Sequence, residues 1–169
     1  SVKSAVVEVD QQIISDIGVD VIQSGATADE IFIRLATIIT GHLDKVKEVS
    51  GVAFAFPGPF DYEQGICLIQ NQTKYDALFG INLGDKLKKI LSMPMLEMKY
   101  RNDAEAAILG EALYGAGKSY PRLIGLTLGT GLGSAFIAEG RLVAEGDDVP
   151  LNGWLYSLPF GHQRADDVF

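Results

Sequence analysis

The run Leu126-Thr127-Leu128-Gly129-Thr130-Gly131-Leu132-Gly133-Ser134 carries an apolar strand into a Gly-Thr-Gly turn and out into a second strand. Glycine lets backbone N–H groups approach a phosphate closely, and the threonine hydroxyl adds a donor. The segment reads either as a phosphate cradle between two strands or as a plain glycine-rich hairpin. Its G-x-G-x-G spacing, with no helix following, is not a dinucleotide fingerprint. A second glycine segment, Ala112-Leu113-Tyr114-Gly115-Ala116-Gly117-Lys118-Ser119, approaches the P-loop pattern but lacks its first glycine. It also ends a helix, whereas a P-loop needs its amides at a helix N-terminus. It reads as a helix C-cap with Lys118 as an exposed cation.

The carboxylate of interest is Asp103, in Tyr100-Arg101-Asn102-Asp103-Ala104-Glu105-Ala106-Ala107. This segment closes a strand and opens a helix, so Asp103 sits where open α/β sheets place ligands. A carboxylate there can act as a general base while Asn102 holds a ligand hydroxyl. The alternative is that Asp103 merely caps the helix. Glu105 falls in the first helical turn, where the helix dipole favours a negative charge, and is read as structural.

These residues need a frame, and the chain spells one of alternating strands and helices. Strands are expected over residues 2–9 and 12–17, with a turn near Asp10-Gln11. Thr27-Ala28-Asp29-Glu30 is a capping box, and the helix it starts is expected to reach about Lys47 with Ile31, Leu35, Ile38 or Ile39, Leu43 and Val46 on its apolar face. Gly51 to Phe56 reads as a short strand buried on both faces, ended by Pro57-Gly58-Pro59. An extended piece follows at 66–69, then a helix capped by Asn82 and running to about Leu91. A strand over 95–100 leads into a helix over 103–114. Buried strands are expected at 123–128 and 133–138, with a Glu139-Gly140 hairpin turn into Arg141-Leu142-Val143. The alternation predicts an α/β layer fold.

Composition narrows the function. The 169 residues are 47% hydrophobic and 21% charged, which suits a globular chain with a real core. Twenty-two acidic groups against 14 basic ones give a net charge of −8, the wrong sign for tracking phosphates, so nucleic acid is not an expected partner of this chain. No apolar run approaches the roughly 18 residues of a membrane span, and the single cysteine, Cys67, excludes an internal disulfide or a cysteine-cluster zinc site. A cytoplasmic protein is expected. In that compartment the Asn71-Gln72-Thr73 glycosylation pattern goes unused. The strand-like opening at Ser1 and the uncapped end at Phe169 suggest a piece of a longer protein.

Several motifs occur in one order: Phe56-Pro57-Gly58-Pro59 with Gly65, Asn102-Asp103-Ala104, Leu109-Gly110-Glu111, Gly115-Ala116-Gly117, Leu128-Gly129-Thr130-Gly131-Leu132-Gly133, and Gly161-His162. That order resembles the ROK family of sugar kinases (repressors, open reading frames, kinases), over nearly the whole chain. The resemblance implies the actin-like, ribonuclease-H-like ATPase fold, with residues 1–119 as the N-terminal domain and 120–169 as the start of the second. It implies ATP and magnesium as cofactors, a small-molecule sugar as substrate and a possible homodimer. Asp103 becomes the base that takes a proton from a sugar hydroxyl. Asn102, Asn71 and His162 become sugar-binding residues, and Gly129, Thr130 and Gly131 the second phosphate loop. The first strand, the first phosphate loop and the acid near magnesium would precede Ser1, and most of the adenosine pocket would follow Phe169.

One departure stands out. Family kinases carry Glu-x-Gly-His, with the Glu on the sugar, where this chain has Pro159-Phe160-Gly161-His162. Asp166 and Asp167 follow closely, as a substitute carboxylate or a solvated acidic turn. Gln163 to Asp167 does not resemble the zinc-bearing branch, so no metal ligand is expected here. The alternative to a kinase is a sugar-responsive repressor of the same family, its DNA-binding part lying outside this chain. Retention of both Asp103 and the Gly-Thr-Gly turn favours the kinase, because a repressor needs neither.

Overall fold

A computed structural model describes residues 1–72, 74–129 and 131–165. They form two compact units, one drawn from residues 1–54 and 58–100, the other from 55–57 and 101–165.

The first unit opens with an antiparallel hairpin, β1 (Val2–Glu8) and β2 (Ile13–Asp20). A bulge between Ser4 and Val6 leaves Asp16 with φ +48°, a conformation in which a short polar side chain can bond locally. Helix α1 (Ala28–Leu43) starts at the expected capping box, in which Thr27 accepts from the Glu30 N–H and the Glu30 carboxylate accepts from the Thr27 N–H at 2.9 Å. It ends four residues before the expected Lys47, with Asp44 as C-cap. Its buried face is Ile31, Phe32, Leu35, Ala36 and Ile39. Helix α2 (Leu83–Leu91), capped by Asn82 as expected, buries Leu83 and Leu87. Lys86 of α2 joins the two helices through Asp29, at 3.1 Å.

Strand β3 (Gly51–Phe56) pairs with β6 (Glu97–Asn102), and the short strands β4 (Phe60–Asp61) and β5 (Ile66–Cys67) pair with each other. Phe54 stacks on Tyr100 with ring centroids 5.7 Å apart. The expectation that β3 is buried on both faces does not hold: Gly51, Ala53 and Ala55 are exposed, alternating with half-buried residues. Val52, Phe54 and Phe56 take the sheltered face, and burial of Gly51, Ala53 and Ala55 would require a neighbour on the other.

The second unit is built on α3 (Asp103–Tyr114) and a three-stranded antiparallel sheet, β7 (Arg122–Leu128), β8 (Leu132–Ala138) and β9 (Arg141–Val143). Its core is Ile108 and Ala112 of α3 against Ala135 and Ile137 of β8, flanked by Leu123 and Leu142. Gly125 provides the close approach, since a side chain there would collide with Ile108. β7 too is one-sided rather than buried: its Leu123, Gly125 and Thr127 are sheltered, and Leu128 on the other face is 68% exposed. A two-strand hairpin, β10 (Pro159–Phe160) and β11 (Gln163–Arg164), closes the described chain. Among the described residues no helix is long and apolar enough to cross a membrane.

Candidate active site

The end of β6 and the start of α3 set the candidate catalytic carboxylate. Asn102 is the N-cap, its Oδ1 accepting from the N–H groups of Ala104 at 3.0 Å and Glu105 at 3.2 Å. Asp103 is therefore the first helical residue rather than the cap. Its Oδ1 accepts from the Ala104 N–H at 2.9 Å, and the residue is exposed. This solvent-facing carboxylate stands at a strand-to-helix junction, where open α/β sheets place ligands.

The next residue of that helix reaches the glycine turn's own hairpin. Gly133 lies directly against Ala104: a Cβ added to Gly133 would come within 2.5 Å of the Ala104 Cβ and would collide with the Thr127 hydroxyl. Thr127 and Gly133 are opposite one another in the β7–β8 ladder, which closes with Leu128 opposite Leu132. Gly129 and Gly131, flanking that last pair, thus lie at the same end of the unit as Asp103. Within it the Gly129 N–H donates to the Gly131 carbonyl at 3.2 Å, and a Cβ on Gly129 would meet open space. Thr130 lies outside the described residues.

The remaining candidates are more scattered. His162 is exposed in the turn between β10 and β11. Pro159 pairs with Arg164 across that hairpin and offers no side-chain acceptor. Asn71 belongs to the first unit, exposed, with φ +60°. Thr73, Asp166 and Asp167 lie outside the described residues.

Two side-chain clusters were not legible from sequence. In the second unit, half-buried Glu105 faces Arg101, four residues before it, at 3.7 Å. Burial pushes the Glu105 carboxyl above its ordinary value, with Arg101 and Trp154 pulling the other way. In the first unit, His42 places Nδ1 2.6 Å from Asp16 Oδ2 and Nε2 2.8 Å from Ser4 Oγ, while Lys45 holds the other Asp16 oxygen at 2.7 Å. The order Ser–His–Asp is that of a nucleophile relay. Ser4, however, sits within β1 opposite Gly18 and meets α1 through His42, so the array clamps helix to hairpin.

The sequence profile described as the ROK family matches residues 2–148. The chain belongs to the ROK family. This ROK chain is 30% identical over 121 residues to the glucokinase of Thermotoga maritima, a match covering 72% of the chain and 36% of that enzyme. It is 26% identical over 138 residues to the DNA-binding transcriptional repressor Mlc of Escherichia coli, covering 82% of the chain and 29% of the repressor. Among solved structures, a ROK family glucokinase from Streptomyces griseus in complex with glucose and AMPPNP superposes with a TM-score of 0.65 at 25% identity, over 85% of the chain and 43% of that enzyme. The fold is the actin-like ATPase fold expected from the sequence. This ROK chain spans well under half the length of the curated relatives it matches, which include both sugar kinases and a repressor.

Proposed function

We propose that the protein is an ATP-dependent sugar kinase acting on a hexose or amino-hexose in the cytoplasm, with Asp103 as general base. The observation that carries this reading is the Ala104–Gly133 contact, which fixes Asp103 and the Gly129–Gly131 turn at one end of one unit. In this reading Asp103 takes the proton of the attacking hydroxyl, and Asn102, Asn71 and His162 orient the sugar. Gly129, Thr130 and Gly131, in the segment that opens the second domain, hold phosphate oxygens of ATP through backbone amides and the Thr130 hydroxyl. Phosphoryl transfer needs mainly such positioning and charge neutralisation from a protein. Magnesium beside ATP is held mainly by the phosphates, waters and one or two carboxylates; the described residues gather no cluster of three potential metal ligands, and no step is assigned to that ion.

The test is phosphoryl transfer from ATP by the full-length protein across a panel of hexoses and N-acetyl-hexosamines. Turnover of at least one sugar is expected. Sugar binding without any turnover would favour the second reading, a sugar-responsive repressor, which the similarity to Mlc over 82% of the chain supports.

A further inference from the structure

Ser134 is the one buried polar residue among those described, and it stands in β8 just after the glycine turn. Its neighbours Gly133, Ala135 and Ile137 face α3: Gly133 meets Ala104, and the other two join the core with Ile108 and Ala112. Alternation along a strand sends Ser134 and Phe136 to the opposite face. There the Ser134 hydroxyl donates to the Gly153 carbonyl at 2.8 Å and accepts from the Leu155 N–H at 2.9 Å. Gly153 is itself buried, with φ +70°, and a Cβ on it would lie 3.4 Å from the Val143 carbonyl oxygen and 3.6 Å from the Phe136 ring.

From Leu155 the bonding runs on into the last hairpin. The Leu158 N–H donates to the Leu155 carbonyl at 3.0 Å, and the Ala165 N–H donates to the Leu158 carbonyl at 3.0 Å. Between Leu158 and Ala165, Pro159 pairs with Arg164 and Phe160 with Gln163, which leaves Gly161 and His162 as the turn. The strand that leaves the glycine turn therefore also holds the His162 hairpin, and the link to it passes through a single side-chain hydroxyl. We propose that Ser134 is a positioning residue: it fixes the 153–165 segment on β8 and thereby sets sugar affinity at His162. The part concerning sugar rests on the reading above. Alanine at this position would leave a buried carbonyl and a loop N–H without the partner they share, a loss that a hydroxyl merely filling space would not cause.

Full-length protein is compared with Ser134→Ala and with Gly153→Ala, which strains the same loop at its φ of +70° while keeping the hydroxyl. Hydrogen exchange in residues 153–158 of the ligand-free protein is expected to quicken about tenfold or more in both variants, with the β7–β8 ladder and α1 unchanged. Titration calorimetry with D-glucose and N-acetyl-D-glucosamine should show a dissociation constant raised at least about tenfold for the sugar that wild type binds. With ATP, the KM for that sugar should rise by a similar factor, while kcat and the KM for ATP stay within about threefold.

Unchanged exchange in residues 153–158 of Ser134→Ala overturns the anchor. Faster exchange with an unchanged sugar dissociation constant overturns the positioning role. A KM for ATP that rises in step with that for sugar shows β8 itself disturbed and overturns the role as well. If Ser134→Ala does not fold, Gly153→Ala decides by the same readouts. A wild type that binds sugar and turns none over fails the kinase reading alone, and the exchange and dissociation constants then decide the role of Ser134.

Discussion

Gly133 and Ala104 touch so closely that a methyl group at position 133 would sit 2.5 Å from the Ala104 Cβ. Ala104 is buried at the start of α3 and its Cβ has no rotamer with which to yield. Gly133→Ala should therefore destabilise the protein by about 1–3 kcal/mol, as overpacking does, seen as a lower Tm. Gly129→Ala is the matched control, because its Cβ enters open space. It should leave Tm unchanged yet raise the KM for ATP, since the added methyl obstructs a phosphate. An unchanged ATP KM in Gly129→Ala would make the turn a hairpin and nothing more.

The Lys45 ammonium and the His42 ring hold the Asp16 carboxyl below its ordinary value of 3.8. A depressed folded-state value contributes stability above the unfolded value that is lost as pH falls through the folded one. Asp16→Asn should thus lower Tm at neutral pH, and the gap between variant and wild type should close as pH drops below 3.8. A gap of constant size down to strong acid would mean that the ionised form of Asp16 is not what clamps α1 to β1 and β2.

Tyr100 behaves in the opposite sense. Burial, with the Asp85 charge adding to it, pushes its phenol from 10.0 up to about 12. The stability it contributes is complete below about 10 and disappears as pH rises through about 12. Phenolate absorbance should show one of the six tyrosines ionising about two units late, and Tyr100→Phe should remove that late step. Loss of an early-titrating tyrosine instead would place Tyr100 at the surface.

At Pro159 the expected sugar-binding carboxylate is missing, and the residue is exposed in β10 opposite Arg164. Charge-assisted hydrogen bonds contribute about 1.5–3 kcal/mol each. Without this one, glucose should be a poorer substrate than the best sugar in a panel of hexoses, N-acetyl-hexosamines and deoxy-sugars, judged by kcat/KM. Glucose as the preferred substrate would show that another group supplies the bond.

What the sequence disclosed was whatever depends on near neighbours. The Thr27–Glu30 box, the Asn82 cap, the bounds of α3 and the hairpin turn at Glu139-Gly140 are set within a few residues, by capping and turn chemistry. What it concealed depends on packing at a distance. The apolar runs of β3 and β7 read as buried, but each meets a neighbour on one face only, so Leu126 and Leu128 remain exposed. Ser4 and His42 are 38 positions apart, and no periodicity announces their bond. Glu105 reads as an ordinary first-turn acid, and its partial burial depends on packing that its near neighbours do not announce. The ordered glycine and Asn-Asp motifs carried the family assignment, and of those glycines Gly65 and Gly161 hold the positive φ that other residues rarely adopt.

The most direct measurement is kcat for full-length Asp103→Asn with ATP and the best sugar of the panel. Asparagine keeps the size of the side chain and an oxygen for the Ala104 N–H, so the helix start is preserved, while the proton acceptor is lost. A general base contributes roughly 10²–10⁴-fold, and kcat should fall by that factor with Tm and sugar KM little changed. Wild-type turnover in Asp103→Asn would contradict the assignment and leave Asp103 as a residue of the helix start alone.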